Sequence, residues 1–188
     1  MVRIRKDYTP EEVEYLHSEP THEIWHHICD LIKKHDSRNI LDIGCATGAV
    51  NLFLNDYIYW YHGIDASESL IQEGKRFWID KPNISFHCAE WEDVSDNITC
   101  DCMLLLGVLP YGEPKWCDTP YKNAFEMYQK MVEKFKPRQV IIRETDQLLD
   151  GEQILDLTPF LNIASSMQRF RVDTQLGRKI VLNVITSS

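Results

Sequence analysis

The sequence predicts an α/β protein built on a single doubly wound sheet of seven strands, mostly parallel. Three observations favour this fold. From residue 38 onward, short apolar stretches alternate with helical patterns, which is typical of a parallel sheet. The stretch MLLLGVL at 103–109 has no polar alternation, as expected for a strand covered on both faces. Near the end, two alternating stretches flank LGR, which indicates an antiparallel hairpin.

Two helices are expected before the sheet begins, so we divide the chain into residues 1–37 and the sheet domain 38–188. TPEEVEYLH, from Thr9, has proline at the first helical position and acidic residues in the first turn. In PTHEIWHHICDLIKKH the apolar residues recur on one stripe, namely Ile24, Ile28, Leu31 and Ile32. Pro20 separates the two helices.

The elements of the sheet domain follow from the same patterns. Strands are expected at 39–44, 58–65, 84–89, 100–107, 139–144, 168–175 and 179–186. Gly177 would lie in the last turn. Helices are expected after the first strand, from Ser67, and from Thr119, where Thr-Pro resembles the start at Thr9.

Composition limits the function classes. The chain has 29 acidic and 20 basic residues and a formal net charge of -9, which disfavours a nucleic-acid partner because phosphate backbones are repelled on average. Neither a signal peptide nor an apolar stretch of about 18 residues is present, so we expect a cytoplasmic protein without a membrane span. The six cysteines are expected to be reduced packing residues. No metal site is expected, because Cys100 with Cys102, and His22 with His26, lack further ligands at metal spacing.

The turn after the first strand, LDIGCATG, lies where open α/β sheets bind ligands. A GxGxxG dinucleotide fingerprint started at Gly44 would need glycine at 46 and 49, where the chain has Ala46 and Ala49. A GxxxxGK[ST] phosphate loop is also absent, because no lysine follows. A GxGxG pattern matches at Gly44 and Gly48, with alanine in the middle.

ILDIGCATG resembles the first motif of class I S-adenosylmethionine-dependent methyltransferases. The resemblance covers about residues 38–186 and implies S-adenosylmethionine as cofactor. It implies that the backbone of a turn of small residues comes close to the donor. The residues of this turn are Gly44, Cys45, Ala46 and Gly48. It also associates Asp42 with the methionine ammonium, through a water.

Three later segments agree with a nucleoside ligand. Asp65 lies twenty-one residues after Gly44, at the end of the second strand, where an acid accepts from ribose hydroxyls; its alternative role is to cap the helix that follows. Ala66, next to it, is also expected to contact the donor. The resemblance puts Glu90 on the adenine amino group and Trp91 beside the ring. It puts Leu106 and Gly107, in GVLPYG, beside the donor methyl group.

Candidates for the acceptor side are aromatic and acidic. The resemblance implies that the helices of residues 1–37 act as a lid, on which the candidates are Tyr8, Tyr15, His17, His22 and Trp25. The loop after the fourth strand adds Tyr111, Trp116 and Tyr121, and the segment after the fifth adds Glu144 and Asp146. We interpret His17, Tyr111 and Glu144 as the catalytic candidates, with His17 or Glu144 as the base, and packing as the alternative for each.

The leading hypothesis is an enzyme that methylates oxygen, nitrogen or carbon of a small-molecule acceptor. RNA (tRNA) or protein methylation is the second hypothesis, although no basic stripe supports it. A non-catalytic S-adenosylmethionine-binding module is the third. An NAD-dependent oxidoreductase is disfavoured by Ala46 and Ala49.

Overall fold

The computed structural model describes residues 11, 19–54, 56–114, 119–145, 158–161, 166–173 and 179–186. The strands are β1 (Asn39–Ile43), β2 (Trp60–Asp65), β3 (Ile84–Cys88), β4 (Cys102–Leu106), β5 (Gln139–Thr145), β6 (Ser166–Asp173) and β7 (Lys179–Thr186). The helices are α1 (Glu19–Lys34), α2 (Asn51–Leu54), α3 (Glu68–Phe77), α4 (Ala124–Phe135) and α5 (Thr158–Leu161). Two 3-10 turns are present, Trp91–Asp93 and Leu109–Gly112.

All seven strands form one sheet in the order β3-β2-β1-β4-β5-β7-β6. β1 pairs in parallel with β2 and β4, and the parallel order continues to β3 on one side and β5 on the other. β7 is antiparallel to both β5 and β6. The predicted fold class is therefore confirmed, including the antiparallel pair at the end, while Gly177 lies outside the described residues.

The sheet is covered on both faces. On one face, Ile28 and Ile32 of α1 and Ile71 of α3 pack in a cluster with Ile40 and Leu104 of the sheet. On the other face, Met131 of α4 and Phe160 of α5 pack in a cluster with Leu41 of β1 and Met103 of β4. Each strand in the centre thus buries both faces, which explains why MLLLGVL shows no polar alternation.

Strand β4 begins two residues later than predicted, because Asp101 ends the preceding loop. One Asp101 carboxylate oxygen accepts from the backbone N–H groups of Arg38 and Asn39 at 2.9 and 3.0 Å. Cys100 therefore lies outside the strand, in the α4-side cluster, whereas Cys102 lies in the α1-side cluster. The five described cysteines, Cys29, Cys45, Cys88, Cys100 and Cys102, are all free thiols.

Helix α4 begins at Ala124, so the prediction of a start at Thr119 and Pro120 was wrong. Asn123 is the N-cap, and its side-chain oxygen accepts from the backbone N–H of Glu126 at 2.9 Å. The Glu113 carboxylate accepts from the N–H of Ala124 at 2.8 Å. Two first-turn amides are thereby satisfied by side chains, which fixes the start of α4.

Two features of this sheet position a binding site. The strand order reverses beside β1, which is the place where doubly wound sheets leave a crevice at their carboxyl ends. Residues 89–101, which connect β3 to β4, contain the 3-10 turn Trp91–Asp93 and no α-helix.

Within the described part of the chain, no helix combines the length and the apolar character that crossing a membrane requires.

Candidate functional site

A cavity of about 560 Å³ opens at the carboxyl ends of β1, β2 and β4. Its described lining comes from the turns that follow four strands and from the segment before α4. These residues are Ile43, Gly44, Ala46, Ile64, Asp65, Ala66, Ala89, Glu90, Trp91, Glu92, Asp93, Leu106, Gly107, Val108, Tyr111, Thr119, Pro120, Tyr121 and Met127. Ten of the predicted site residues are among them: Gly44, Ala46, Asp65, Ala66, Glu90, Trp91, Leu106, Gly107, Tyr111 and Tyr121.

The turn after β1 requires left-handed backbone at three positions. Gly44, Ala46 and Gly48 have φ of 72°, 50° and 71°. A Cβ at Gly44 would lie 2.5 Å from Cγ2 of Val108, and a Cβ at Gly48 would lie 2.8 Å from Phe86, so both positions need glycine for space as well as for conformation. Ala46 adopts the same conformation with a side chain, which costs about 1–2 kcal/mol.

Asp65 is held at the cavity by backbone amides. Its Oδ2 accepts from the N–H of Ala46 at 2.9 Å, and its Oδ1 accepts from the N–H of Ser67 at 2.8 Å. Partial burial raises the pKa of Asp65, while these two hydrogen bonds act to lower it. Each carboxylate oxygen has a second lone pair, so Asp65 can still accept from a ligand hydroxyl.

Asp42 lies behind the turn rather than in the cavity lining. Its side chain is 3% exposed, and its Oδ2 accepts from the hydroxyl of Tyr61 at 2.7 Å. Oδ1 has no hydrogen-bond partner among the described residues. Burial raises the pKa of Asp42 to about 7, although the Tyr61 hydrogen bond opposes the shift.

Two other residues predicted to bind the donor also pack behind the turn. Cys45 is buried, its Sγ lies 2.7 Å from where a Cβ at Gly63 would be, and burial raises the pKa of its thiol well above the usual value. Gly48 packs against Phe86. Both residues therefore support the conformation of the turn, and neither is part of the described cavity lining.

The 90–93 turn forms one wall of the cavity. Trp91 is largely buried, with its ring stacked on Tyr121 at a centroid distance of 6.2 Å and edge-on to Phe135 at 6.4 Å. The hydroxyl of Tyr121 donates to a carboxylate oxygen of Glu92. This wall is therefore built from two segments that are distant in sequence.

The turn after β4 forms another part of the cavity lining. Gly107 has φ of 87°, its N–H donates to the carbonyl of Arg143 at 3.1 Å, and a Cβ built on it would meet nothing within 4 Å. The backbone at Gly107 therefore faces open space in the cavity. Tyr111 follows in the 3-10 turn and also lines the cavity.

Three of the remaining acceptor-side candidates lie in described helices or strands. Glu144 is the penultimate residue of β5, and His22 lies in α1. Trp25 is buried in the α1-side core. Tyr8, Tyr15, His17, Trp116 and Asp146 lie outside the described residues.

The charged side chains that line the cavity are all acidic. Four carboxylate side chains line it, those of Asp65, Glu90, Glu92 and Asp93. Among its described lining residues there is no lysine, arginine or histidine. In the described part of the chain, no three His, Cys, Asp or Glu side chains are grouped to hold a metal ion.

Sequence reasoning did not find Glu92, Asp93, Val108, Thr119, Pro120 and Met127 as lining residues, nor Tyr61 as the partner of Asp42. Glu92 and Tyr121 are 29 residues apart and share no spacing pattern. Glu92 and Val108 adjoin the motif positions Trp91 and Gly107, which is the one available signal for them. Tyr61 lies across from Ile40 in the β1–β2 register, which only strand pairing reveals.

Comparison with known proteins supplies an independent view of the chain. A family model described as a methyltransferase domain matches residues 40–133. The N-methyltransferase NodS from Bradyrhizobium japonicum, in complex with S-adenosyl-L-homocysteine, is 17% identical over 96% of this chain and 99% of that one, with a TM-score of 0.72. No curated protein matches the sequence.

Two further solved structures share the fold. Magnesium protoporphyrin IX methyltransferase from Synechocystis, with bound SAM, is 14% identical over 96% of this chain and 86% of its own, with a TM-score of 0.68. An rRNA methylase from Escherichia coli is 13% identical over 98% of this chain and 79% of its own, with a TM-score of 0.66. The acceptors of these similar folds range from a small molecule to RNA.

Proposed function

The chain belongs to the methyltransferase-domain family, and on that basis we propose that it transfers the methyl group of S-adenosylmethionine to a small-molecule acceptor. S-adenosylmethionine supplies a methyl group already activated by its sulfonium for attack by a nucleophile. The protein must therefore align donor and acceptor and exclude water, and such alignment is worth about 7–11 kcal/mol.

The donor side of the proposal fits the residues present. Asp65 would accept from the ribose hydroxyls, because its carboxylate is fixed by two amides and keeps lone pairs for a ligand. Glu90 and Trp91 would hold the adenine. The backbone at Gly44, Ala46 and Gly107 would lie along the rest of the donor, and the open space at Gly107 supports its assignment beside the methyl group.

The acceptor class rests on one observation, the lining charge of the cavity. Besides Asp65, Glu90 and Trp91, which the donor would contact, the described lining contains the carboxylates of Glu92 and Asp93, the rings of Tyr111 and Tyr121, and no basic residue. Such a surface repels phosphate and favours neutral or cationic molecules, which aromatic faces also attract. A small neutral or cationic acceptor fits this lining better than a polyanion does.

The catalytic and lid assignments belong to the same proposal. Tyr111, which lines the cavity, would orient the acceptor, while His17 or Glu144 would remove a proton where the acceptor must lose one, for about 10²–10⁴-fold. A lid formed by residues 1–37 belongs to the same proposal, and Ile28 and Ile32 anchor its described helix α1 in the core.

The test combines binding with product analysis. Calorimetry should show binding of S-adenosylhomocysteine by the full chain. With S-adenosylmethionine labelled in the methyl group and a cell extract separated into small-molecule, RNA and protein fractions, label should appear in the small-molecule fraction. Label in RNA or protein would overturn the acceptor class, and no binding of S-adenosylhomocysteine would overturn the donor site.

A further inference from the structure

The contact between Tyr121 and Glu92 links two parts of the cavity wall that no motif connects. The Tyr121 hydroxyl donates to the Glu92 carboxylate, and the Tyr121 ring stacks on Trp91 with an angle of 25° between the planes. Both residues line the cavity. Tyr121 is 6% exposed, so its ring fills the wall rather than lying on the surface.

Side chains of α4 also contact the 90–93 turn, which lies in a connection without an α-helix between β3 and β4. Lys134 of α4 donates to the backbone carbonyl of Glu92 at 2.7 Å. Glu92 is thus held at its main chain by Lys134 and at its side chain by Tyr121. Trp91, between these contacts, rests on Phe135.

Tyr121 is itself fixed by its surroundings. It lies three residues before the start of α4, whose first turn is capped by Glu113 and Asn123. The ammonium of Lys130 lies 5.0 Å from the centroid of the Tyr121 ring. Burial and the Glu92 hydrogen bond raise the pKa of Tyr121 far above its usual value, so its hydroxyl remains a donor at every working pH.

We propose that Tyr121 and Glu92 are positioning residues that hold the 90–93 turn so that Glu90 and Trp91 meet the adenine ring of the donor. The assignment rests on the proposed function, since it takes the ligand of this wall to be adenine. Neither residue needs to touch the reacting atoms. Their contribution should therefore appear in donor affinity and in discrimination of the adenine amino group, and leave the methyl-transfer step at saturating donor nearly unchanged.

Three variants test the pair. Tyr121→Phe keeps the ring stack and removes only the hydroxyl. Glu92→Ala removes the carboxylate that accepts this hydrogen bond, at an exposed residue. Each should weaken S-adenosylhomocysteine binding about three- to tenfold, and the double variant should be hardly weaker than either single one. Glu92→Gln keeps an acceptor oxygen and should retain most of the affinity. Tyr59→Phe, at a tyrosine that is 64% exposed, is the matched control and should bind like the wild type.

A second ligand separates positioning from general stability. S-inosylhomocysteine carries a carbonyl where adenine has its amino group. The wild type should prefer S-adenosylhomocysteine, and Tyr121→Phe and Glu92→Ala should reduce that preference; a merely structural role would weaken both ligands equally. In turnover, donor KM should rise while kcat stays within about twofold.

The outcomes distinguish this inference from the proposed function. If the wild type binds S-adenosylhomocysteine and both variants bind it equally well, or lose affinity for both ligands alike, the positioning role is overturned. If Tyr121→Phe does not fold, Glu92→Ala carries the same comparison. If the wild type binds neither ligand, the proposed function fails first.

Discussion

At the scale of single residues, Ala46 has the conformation of a glycine without being one. Its φ of 50° lies between two glycines with similar values, and its N–H donates to Asp65. The GxGxG pattern has glycine at this position, so alanine adds one methyl group there. The structure shows that the cost lies in the backbone conformation rather than in space.

Replacing Ala46 by glycine should therefore stabilise the protein. The left-handed cost of about 1–2 kcal/mol is removed, and the greater freedom of glycine in the unfolded chain returns about 0.4–1 kcal/mol of it, which leaves a net gain of about 0.5–1 kcal/mol. Urea unfolding measures the change. Ala49→Gly is the control, because Ala49 is buried and is not among the residues of positive φ; it should lose stability. A less stable Ala46→Gly would contradict the strain.

Asp65 is the residue on which donor binding should depend most. Asp65→Ala should weaken S-adenosylhomocysteine binding at least tenfold, because a hydrogen bond to a charged acceptor is worth roughly 1.5–3 kcal/mol. It also leaves the amides of Ala46 and Ser67 without their acceptor. Calorimetry on the folded variant measures the loss. Glu68→Ala, an exposed acid three residues later, should bind normally, and equal affinity of the two variants would refute the ribose assignment.

The residues of the site that sequence predicts are those fixed by strand ends. Gly44 and Gly107 follow parallel strands and Asp65 ends one. Such strands bring their carboxyl ends to one edge whatever the details of packing. For Asp42 the motif suggests an association with the donor through a water, whereas its hydrogen bond to Tyr61 depends on the strand register, which the motif does not contain. Partners from distant segments require the packed structure.

At the scale of elements, the start of α4 shows how one helix signal overrides another. Thr119 with Pro120 and Asn123 with Glu126 are both plausible starts. The second is used because the Asn123 side chain caps the amide of Glu126, while the Glu126 carboxylate accepts from the N–H of Lys122 at 2.8 Å. The strands, by contrast, were predicted within one or two residues at most ends, since their apolar stretches are short and bounded.

Removing the cap should measure its contribution. Asn123→Ala should lower the free energy of unfolding by about 0.5–2 kcal/mol, because the amide of Glu126 loses its acceptor. Thermal or urea unfolding gives the value. Thr119→Ala serves as the comparison, since the Thr119 hydroxyl makes only a 3.4 Å contact with the N–H of Tyr121. A larger loss from Thr119→Ala than from Asn123→Ala would show that the helix starts earlier.

At the scale of the whole molecule, stability should depend on pH through Asp42. Burial raises the pKa of Asp42 from 3.8 to about 7, so folding takes up a proton between these pH values. Burial of Asp42 therefore costs no stability below pH 4, where its carboxyl is protonated in both states. As pH rises toward 7, the free energy of unfolding falls by up to about 4 kcal/mol, which corresponds to a shift of about three pKa units.

Asp42→Asn should remove this dependence. The difference in unfolding free energy between the variant and the wild type should shift in favour of the variant as pH rises from 4.5 to 8, as measured by urea unfolding at each pH. Asp80→Asn, at an exposed aspartate, should show no such trend. A difference that stays constant with pH would mean that Asp42 is ionised in the folded protein.

The order of the strands also bears on how the chain is made. β7 lies between β5 and β6, yet it is the last of the seven to be synthesised. At about 5–20 residues per second, a ribosome needs roughly 2–8 seconds to extend the chain from the end of β5 to the end of β7. During that interval β5 presents an open strand edge, in addition to β3, until β7 pairs with it.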